Sequence, residues 1–284
     1  MKPSLLKRIF FALKPQNRLV IYDYPTTQQP SYTPHRPHKK LFEIIASNDD
    51  QYKKLLEGVA QYQSRIEEIK ISSVETDASL PGWNNGYLPA LDIILLYALL
   101  NQLKPKKYIE IGSGISTQTA FKVRKDQQLN FTITCIDPFP RKQVVALADE
   151  WYEKKLQQVD VSLFSSLEAG DIVFVDGTHT LLPGSDVSWF FLEVLPVLSP
   201  GVIVQVHDIY LPYDYPSDMR GRYYSEQYVL AAILVANPNK YEIIAPAFYI
   251  SQQKELNKII EKLWSHPNLK KAERHGGSFW FRIK

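Results

Sequence analysis

Apolar positions follow one rhythm in the first third of this chain and another beyond Gln102. From Leu41 to about Lys70 they recur three and four residues apart: Leu41, Ile44 and Ile45, then Tyr52, Leu55, Leu56, Val59, Tyr62, Ile66 and Ile69. That spacing predicts two amphipathic helices, the second long and charged on its outer face. Leu80 to Pro89 (Leu-Pro-Gly-Trp-Asn-Asn-Gly-Tyr-Leu-Pro) is turn chemistry from end to end. Ala90 to Gln102 predicts a helix apolar nearly all round, and therefore a buried one.

Past that helix, short apolar runs alternate with helical stretches. Strands are predicted at 107–112, 131–137, about 157–162, 171–176 and 202–208. Such alternation gives a parallel sheet covered on both faces. The ending differs: Tyr241–Ile250 reads as a strand, 252–265 as a helix, and Ser278–Ile283 as a last strand after Gly276-Gly277. No internal repeat or low-complexity segment interrupts the pattern.

Residues 1–40 follow neither rhythm. Prolines at 3, 15, 25, 30, 34 and 37 forbid a long helix and deny donors to a central strand. The segment reads as an arm with a short helix near residues 4–13, on which Leu5, Leu6, Ile9, Phe10 and Leu13 share a face. Packing of that face on protein is favoured, with peripheral membrane contact through residues 1–14 left open. The organisation expected is an arm (1–40), a helical extension (41–79) and an α/β domain (80–284).

Charge sharpens this division. Residues 1–40 hold eight Lys/Arg and Asp23, a net +7, so a total of +3 leaves −4 on the rest. A body of that sign carries no phosphate-binding stripe, which argues against nucleic acid. Lys14 and Pro15 cut the first apolar run short, so a signal peptide is not predicted and a cytoplasmic protein is. The single cysteine, Cys135, excludes a cysteine metal cluster and reads as a small hydrophobe within a strand.

Candidate chemistry gathers where strands end. An apolar strand runs into Gly112-Ser113-Gly114, with a helix beginning near Ser116. Glycines let the backbone turn sharply and approach a ligand, while a helix start offers free amide donors. Thr117 stands where a dinucleotide fingerprint would have its third small residue, and Glu110 precedes the loop. An anion there suits a cationic ligand and opposes a pyrophosphate; the plainer reading is a structural turn with an incidental glutamate. Asp137, ending the second strand, is placed to accept ribose hydroxyls, and Asp160 is expected to end the third beside an adenine. Asp176, His179, His207 and Asp208 follow the next two strands and are expected to meet around one substrate.

In order, Tyr108-Ile-Glu-Ile-Gly-Ser-Gly-Ile-Ser-Thr, Ile136-Asp-Pro-Phe-Pro-Arg, Asp171-Ile-Val-Phe-Val-Asp-Gly-Thr-His, Val206-His-Asp-Ile-Tyr-Leu-Pro, Glu226-Gln-Tyr and Gly277-Ser-Phe-Trp resemble a bacterial family of class I S-adenosylmethionine-dependent methyltransferases. Its relatives include catechol-type and macrolide-sugar O-methyltransferases, and the resemblance covers roughly residues 80–284. It implies a Rossmann-like seven-stranded, mostly parallel sheet with an antiparallel last strand. It further implies S-adenosylmethionine as cofactor, held by Glu110, Gly112, Ser113, Gly114 and Asp137, with Asn84 of the Trp83–Tyr87 loop closing the other side.

The resemblance also raises a metal. Catechol-type relatives hold Mg²⁺ at the matching strand ends, and Asp176 with Asp208 would supply two oxygen ligands. Ile209 cannot ligate, however, and His207 suits Mg²⁺ poorly, so another divalent metal or none is equally open. Without a metal, His207 or His179 would act as general base, with a neighbouring aspartate orienting the ring. Ile209–Arg222 is a candidate lid, and Ser225 and Glu226 read as a helix cap and a first-turn acid or as substrate contacts. The expected activity is O-methylation of a small-molecule or sugar/glycan-like hydroxyl acceptor. A nicotinamide-dependent oxidoreductase and a non-catalytic binding module of the same fold are the alternatives. Homo-oligomerisation is left open.

Overall fold

The computed structural model describes Gln29–Lys284 together with Ile9, Phe10, Leu13 and Tyr24. Most of the expected arm helix near residues 4–13 lies outside the described residues; within it, Ile9 and Phe10 are helical and the Leu13 amide donates to the Ile9 carbonyl. Residues from Ser31 to Lys284 form one compact unit.

Two helices open it, α1 (Lys39–Ala46) and α2 (Asp49–Val59), the latter continuing through a tighter turn to Glu67. His38 starts α1 by accepting the Leu41 amide at Nδ1, as side-chain acceptors do for the orphan donors of a first turn. Ser31–Lys40, read from the sequence as the end of the arm, are docked on the body. The Ser31 and Tyr32 amides donate to Asp214, and the His38 amide to the Pro212 carbonyl. Leu41, Ile45, Tyr52, Leu56 and Val59 lie in the same continuous core as the sheet, so the helical extension shares that core.

Next comes α3 (Ala90–Leu103), buried at every position from Ala90 to Asn101. The sheet follows: β1 (Lys107–Ile111), β2 (Thr132–Ile136), β3 (Glu150–Tyr152), β4 (Ile172–Val175), β5 (Ile203–Val206), β6 (Tyr241–Pro246) and β7 (Phe279–Ile283). Between them run α4 (Ile115–Asp126) after β1 and α5 (Glu226–Ala236) before β6. Strand order is β3-β2-β1-β4-β5-β7-β6, with β7 antiparallel to both neighbours. The last strand is therefore antiparallel as expected, and β1 to β5 are parallel.

Two elements differ from expectation. The third strand is Glu150–Tyr152, not 157–162; that later stretch holds a tight turn, Leu156–Gln158. β6 stops at Pro246, where the chain passes into a helix, Ala247–Gln252.

Register decides what stands at the carboxyl edge. Ile111 is level with Ile136 and with Val175, and Val175 with Val206. The next residues, Gly112, Asp137, Asp176 and His207, therefore emerge side by side where four parallel strands end. In open α/β sheets that edge is the ligand crevice.

Candidate active site

The loop after β1 is shaped by what lies behind it. Gly112 has φ +92°, and a Cβ there would overlap the carbonyl oxygen of Asp176. The loop thus passes against the end of β4 through a backbone only glycine tolerates. At Gly114 a Cβ would meet open space, so the start of α4 is uncovered on that side. Ser113 Oγ donates to Asp137 Oδ2 at 2.5 Å, and Asp137 Oδ1 accepts the Phe139 amide at 2.8 Å. These two residues form the lip between β1 and β2.

Glu110 sits beneath the loop and is fully buried. Its carboxylate accepts the Ser116 hydroxyl at one oxygen and the Thr117 hydroxyl, at 2.7 Å, at the other. Burial pushes its pKa up to about 8, the two hydroxyl donors holding it lower than burial alone would. Thr117 therefore stands in the third position to bind Glu110, a reason the sequence did not disclose. Cys135 lies against the same carboxylate, Sγ 3.9 Å from Oε2; burial raises its thiol pKa, which keeps it protonated and unreactive.

Two expected cofactor contacts lie elsewhere. Asp160 is exposed and accepts the Ser162 amide at 2.8 Å, capping a helical turn instead of ending a strand. Asn84 turns outward and donates to the Lys271 carbonyl at 3.1 Å. Its loop does reach the crevice, through Tyr87, whose ring lies 4.2 Å from the Arg141 guanidinium beyond β2.

At the ends of β4 and β5 the four expected ionisable groups do meet. His179 Nε2 lies 3.2 Å from Asp176 Oδ1 and 3.6 Å from Asp208 Oδ2. His207 Nδ1 lies 3.4 Å from Asp176 Oδ1 and 3.7 Å from Asp208 Oδ1. Two carboxylates and two imidazoles thus alternate around a ring. The side chains of Asp176 and Asp208 are 35% and 16% exposed, against 8% for His179 and 2% for His207. The carboxylates face the crevice, and the imidazoles are behind them.

Two further acids complete the cluster: Glu226, read from the sequence as a first-turn acid or a substrate contact, and Asp92, which the sequence reading did not place. Glu226, fully buried at the start of α5, has Oε2 3.0 Å from His179 Nδ1. Asp92, buried in the first turn of α3, has Oδ2 3.3 Å from His207 Nε2. Asp92 also accepts the Gly277 amide (2.7 Å), the Ser278 amide (2.9 Å) and the Ser278 hydroxyl (2.6 Å). A side chain at Gly276 would overlap this carboxylate, which explains the first glycine of the pair before β7. Ser225 forms no side-chain cap; its Oγ accepts the Leu181 amide.

Burial alone would lower both imidazole pKa values, but the surrounding carboxylates prevail and raise His179 and His207 well above the ordinary imidazole range. Conversely, burial would raise Asp176, yet the His207 charge and the His179 hydrogen bond hold it well below the carboxylate range. Neither imidazole is thus a free base, contrary to expectation. His179 and Asp208 also adopt φ of +58° and +54°, a conformation non-glycine residues hold mainly where surrounding structure imposes it.

The metal expectation fares no better. Among the described residues no group of three or more His, Cys, Asp or Glu side chains is disposed to hold a metal ion. Over the cluster lies Tyr224, its ring 4.6 Å from that of His179 and its hydroxyl bonded to Arg222 at 3.0 Å. Of the candidate lid, Ile209–Tyr213 is buried, and Tyr210, Tyr215 and Met219 pack as a small cluster of their own. Its tip, at Arg220–Arg222, reaches the surface.

Residues 109–209 match the family model of a methyltransferase domain. An uncharacterised protein of Archaeoglobus fulgidus is 32% identical over 91 residues, which are 30% of this chain. The chain spans 41% of that relative's length. Among solved structures, a methyltransferase of Podospora anserina with S-adenosylhomocysteine bound is 15% identical (TM-score 0.42; 80% of this chain, 88% of that one). An S-adenosylmethionine-dependent methyltransferase of Archaeoglobus fulgidus is 12% identical (TM-score 0.32; 68% and 94%). The branched-chain polyamine synthase of Thermus thermophilus is 13% identical (TM-score 0.41; 80% and 63%).

Proposed function

We propose that this chain, which carries a class I S-adenosylmethionine-dependent methyltransferase domain, methylates a hydroxyl group of a small-molecule or sugar/glycan-like acceptor. The observation that carries the reading is the pair of crevice-facing carboxylates, Asp176 and Asp208, each beside two imidazoles. Carboxylates at a crevice floor accept hydrogen bonds from hydroxyl donors and turn an oxygen lone pair toward an electrophile.

The cofactor's residues fit it in kind. The open start of α4 at Gly114, the acid Asp137 at the lip and the buried carboxyl group of Glu110 beneath the loop would hold an adenosine-bearing sulfonium. When bound, S-adenosylmethionine supplies a methyl group on a positively charged sulfur. Everything else falls to side chains. Asp176 is the more tightly held carboxylate, at 3.2 and 3.4 Å from the two rings, against 3.6 and 3.7 Å for Asp208. Asp208 is therefore the better acceptor for the hydroxyl proton, while Asp176 orients. His179 and His207 hold both carboxylates in place and offset their charge.

No step of this account is routed through a metal. A nicotinamide oxidoreductase fits less well, since Thr117, bonded to the buried Glu110, stands where a dinucleotide fingerprint would have its third small residue. The test is methyl transfer from labelled S-adenosylmethionine to a panel of sugars, catechols and polyketide alcohols, with amines as the contrast. Label on a hydroxyl oxygen supports the reading. Label found only on amine nitrogen contradicts it.

A further inference from the structure

We propose that the acceptor carries a carboxylate or phosphate group, which Arg222 binds at the crevice mouth while Asp176 and Asp208 receive its hydroxyl. The hydroxyl end rests on the methyl-transfer reading above; the anion end rests on what holds Arg222 and on what does not.

Arg222 ends the short turn Arg220–Arg222 at the tip of the segment after β5 and is exposed. Its Nη1 donates to the Tyr224 hydroxyl at 3.0 Å, and the guanidinium carbon lies 5.6 Å from the centre of that ring. Tyr224 is itself fixed. Its ring lies 4.6 Å from that of His179 and meets the buried Tyr215 ring edge-on at 6.0 Å. The backbone beside it is held too, because the Ser225 and Glu226 amides donate to the His179 carbonyl at 2.9 and 3.2 Å. His179 touches both crevice carboxylates, so one ring connects Arg222 to the floor of the site.

The charge of Arg222 is held in place but not matched. Among the described residues no carboxylate forms an ion pair with it, and Asp208 lies within its electrostatic reach yet beyond ion-pair distance. Asp214, on the same segment, accepts the Ser31 and Tyr32 amides and the Tyr228 hydroxyl instead. A guanidinium has five donors in a planar fork, and Tyr224 takes one. The remaining edges fit two oxygens of a carboxylate or phosphate at once, where a hydroxyl or carbonyl offers one. Since Tyr224 already orders the side chain, binding an anion there forfeits little further rotamer freedom. The mouth is thus graded, with hydrogen-bond acceptors at the floor and a cation at the rim. Complementarity of that kind selects partners. A ligand with hydroxyls at one end and an anion at the other matches both levels; a neutral sugar or catechol matches only the floor.

Calorimetric titration of the full chain saturated with S-adenosylhomocysteine tests this with paired probes: D-glucose and D-glucuronate, catechol and protocatechuate, inositol and inositol phosphate. Wild type should bind the charged member of at least one pair roughly tenfold or more tightly than the neutral one. Which pairs show it, the first two or the third, tells carboxylate from phosphate. Arg222→Gln should abolish that preference and leave the neutral member's affinity within about twofold. Arg222→Lys, which keeps the charge without the fork, should retain part of it. Retained S-adenosylhomocysteine binding reports that each variant is folded, and the lysine variant decides if the glutamine one is not. Equal affinity within every pair, or no binding by any charged probe, would overturn the proposal. So would a preference undiminished in the variants, or neutral and charged probes weakened alike, as loss of support for Tyr224 alone would give. Methyl transfer takes no part in these titrations, so failure of the hydroxyl assignment appears in the labelled panel and failure here in the pairs.

Discussion

Asp92 Oδ2 lies 3.3 Å from His207 Nε2, a contact between residues 115 positions apart that ties the helix before the sheet to the end of its fifth strand. The same carboxylate collects the Gly277 and Ser278 amides, so one side chain joins α3, β5 and the approach to β7. Removing it strands a buried imidazolium and two buried amides together. Asp92→Ala should cost about 3–5 kcal/mol of folding stability. Urea unfolding checks this: the midpoint should fall with little change in slope. A loss under about 1 kcal/mol would mean that the network relaxes around the gap.

The cluster also sets a pH dependence whose sign follows from the shifts. His179 and His207 are raised above the ordinary imidazole value of 6.5. Their contribution to stability is fully present below that value and lost as pH rises through the folded-state values. Glu110, raised from 4.5 to about 8 by burial, acts in the same direction over that interval. Asp176, held low, contributes above 3.8 and is lost only on acidification. Stability measured by urea unfolding should therefore decline on going from about pH 6.5 to alkaline conditions, and decline less in His207→Asn. Wild-type stability independent of pH across that range contradicts these assignments.

Truncation tests where the body begins. Ser31 and Tyr32 bond to Asp214, and the His38 amide bonds to Pro212. A chain starting at Ser31 should fold and bind S-adenosylhomocysteine as the full chain does. One starting at Leu41 loses these contacts and the α1 cap, and should unfold at lower urea. Equal stability of the two truncations would show that residues 31–40 contribute nothing.

The sheet was legible because its central strands are short, mostly apolar runs that end in Gly112, Asp137, Asp176 and His207, and register then brings those ends together. β3 was not, because Glu-Trp-Tyr is short, polar and at the sheet edge, with nothing to separate it from a loop. At the site, the four ionisable residues after β4 and β5 were readable from position. Their protonation was not, since it depends on Asp92 and Glu226, which reach the imidazoles from helices distant in sequence. One signal was available: Asp92 is the only charged residue in a helix otherwise apolar nearly all round, and a buried acid there demands a partner.

Calorimetric titration with S-adenosylhomocysteine and with NAD, on wild type, Asp137→Ala and Asp208→Ala, tests the central claim most directly. The proposed function assigns the cofactor contacts to the ends of β1 and β2, and the acceptor contacts to the ends of β4 and β5. S-adenosylhomocysteine should bind wild type and Asp208→Ala alike, bind Asp137→Ala roughly tenfold or more weakly, and NAD should not bind. Binding of NAD in its place, or S-adenosylhomocysteine affinity untouched by Asp137→Ala, would contradict the account.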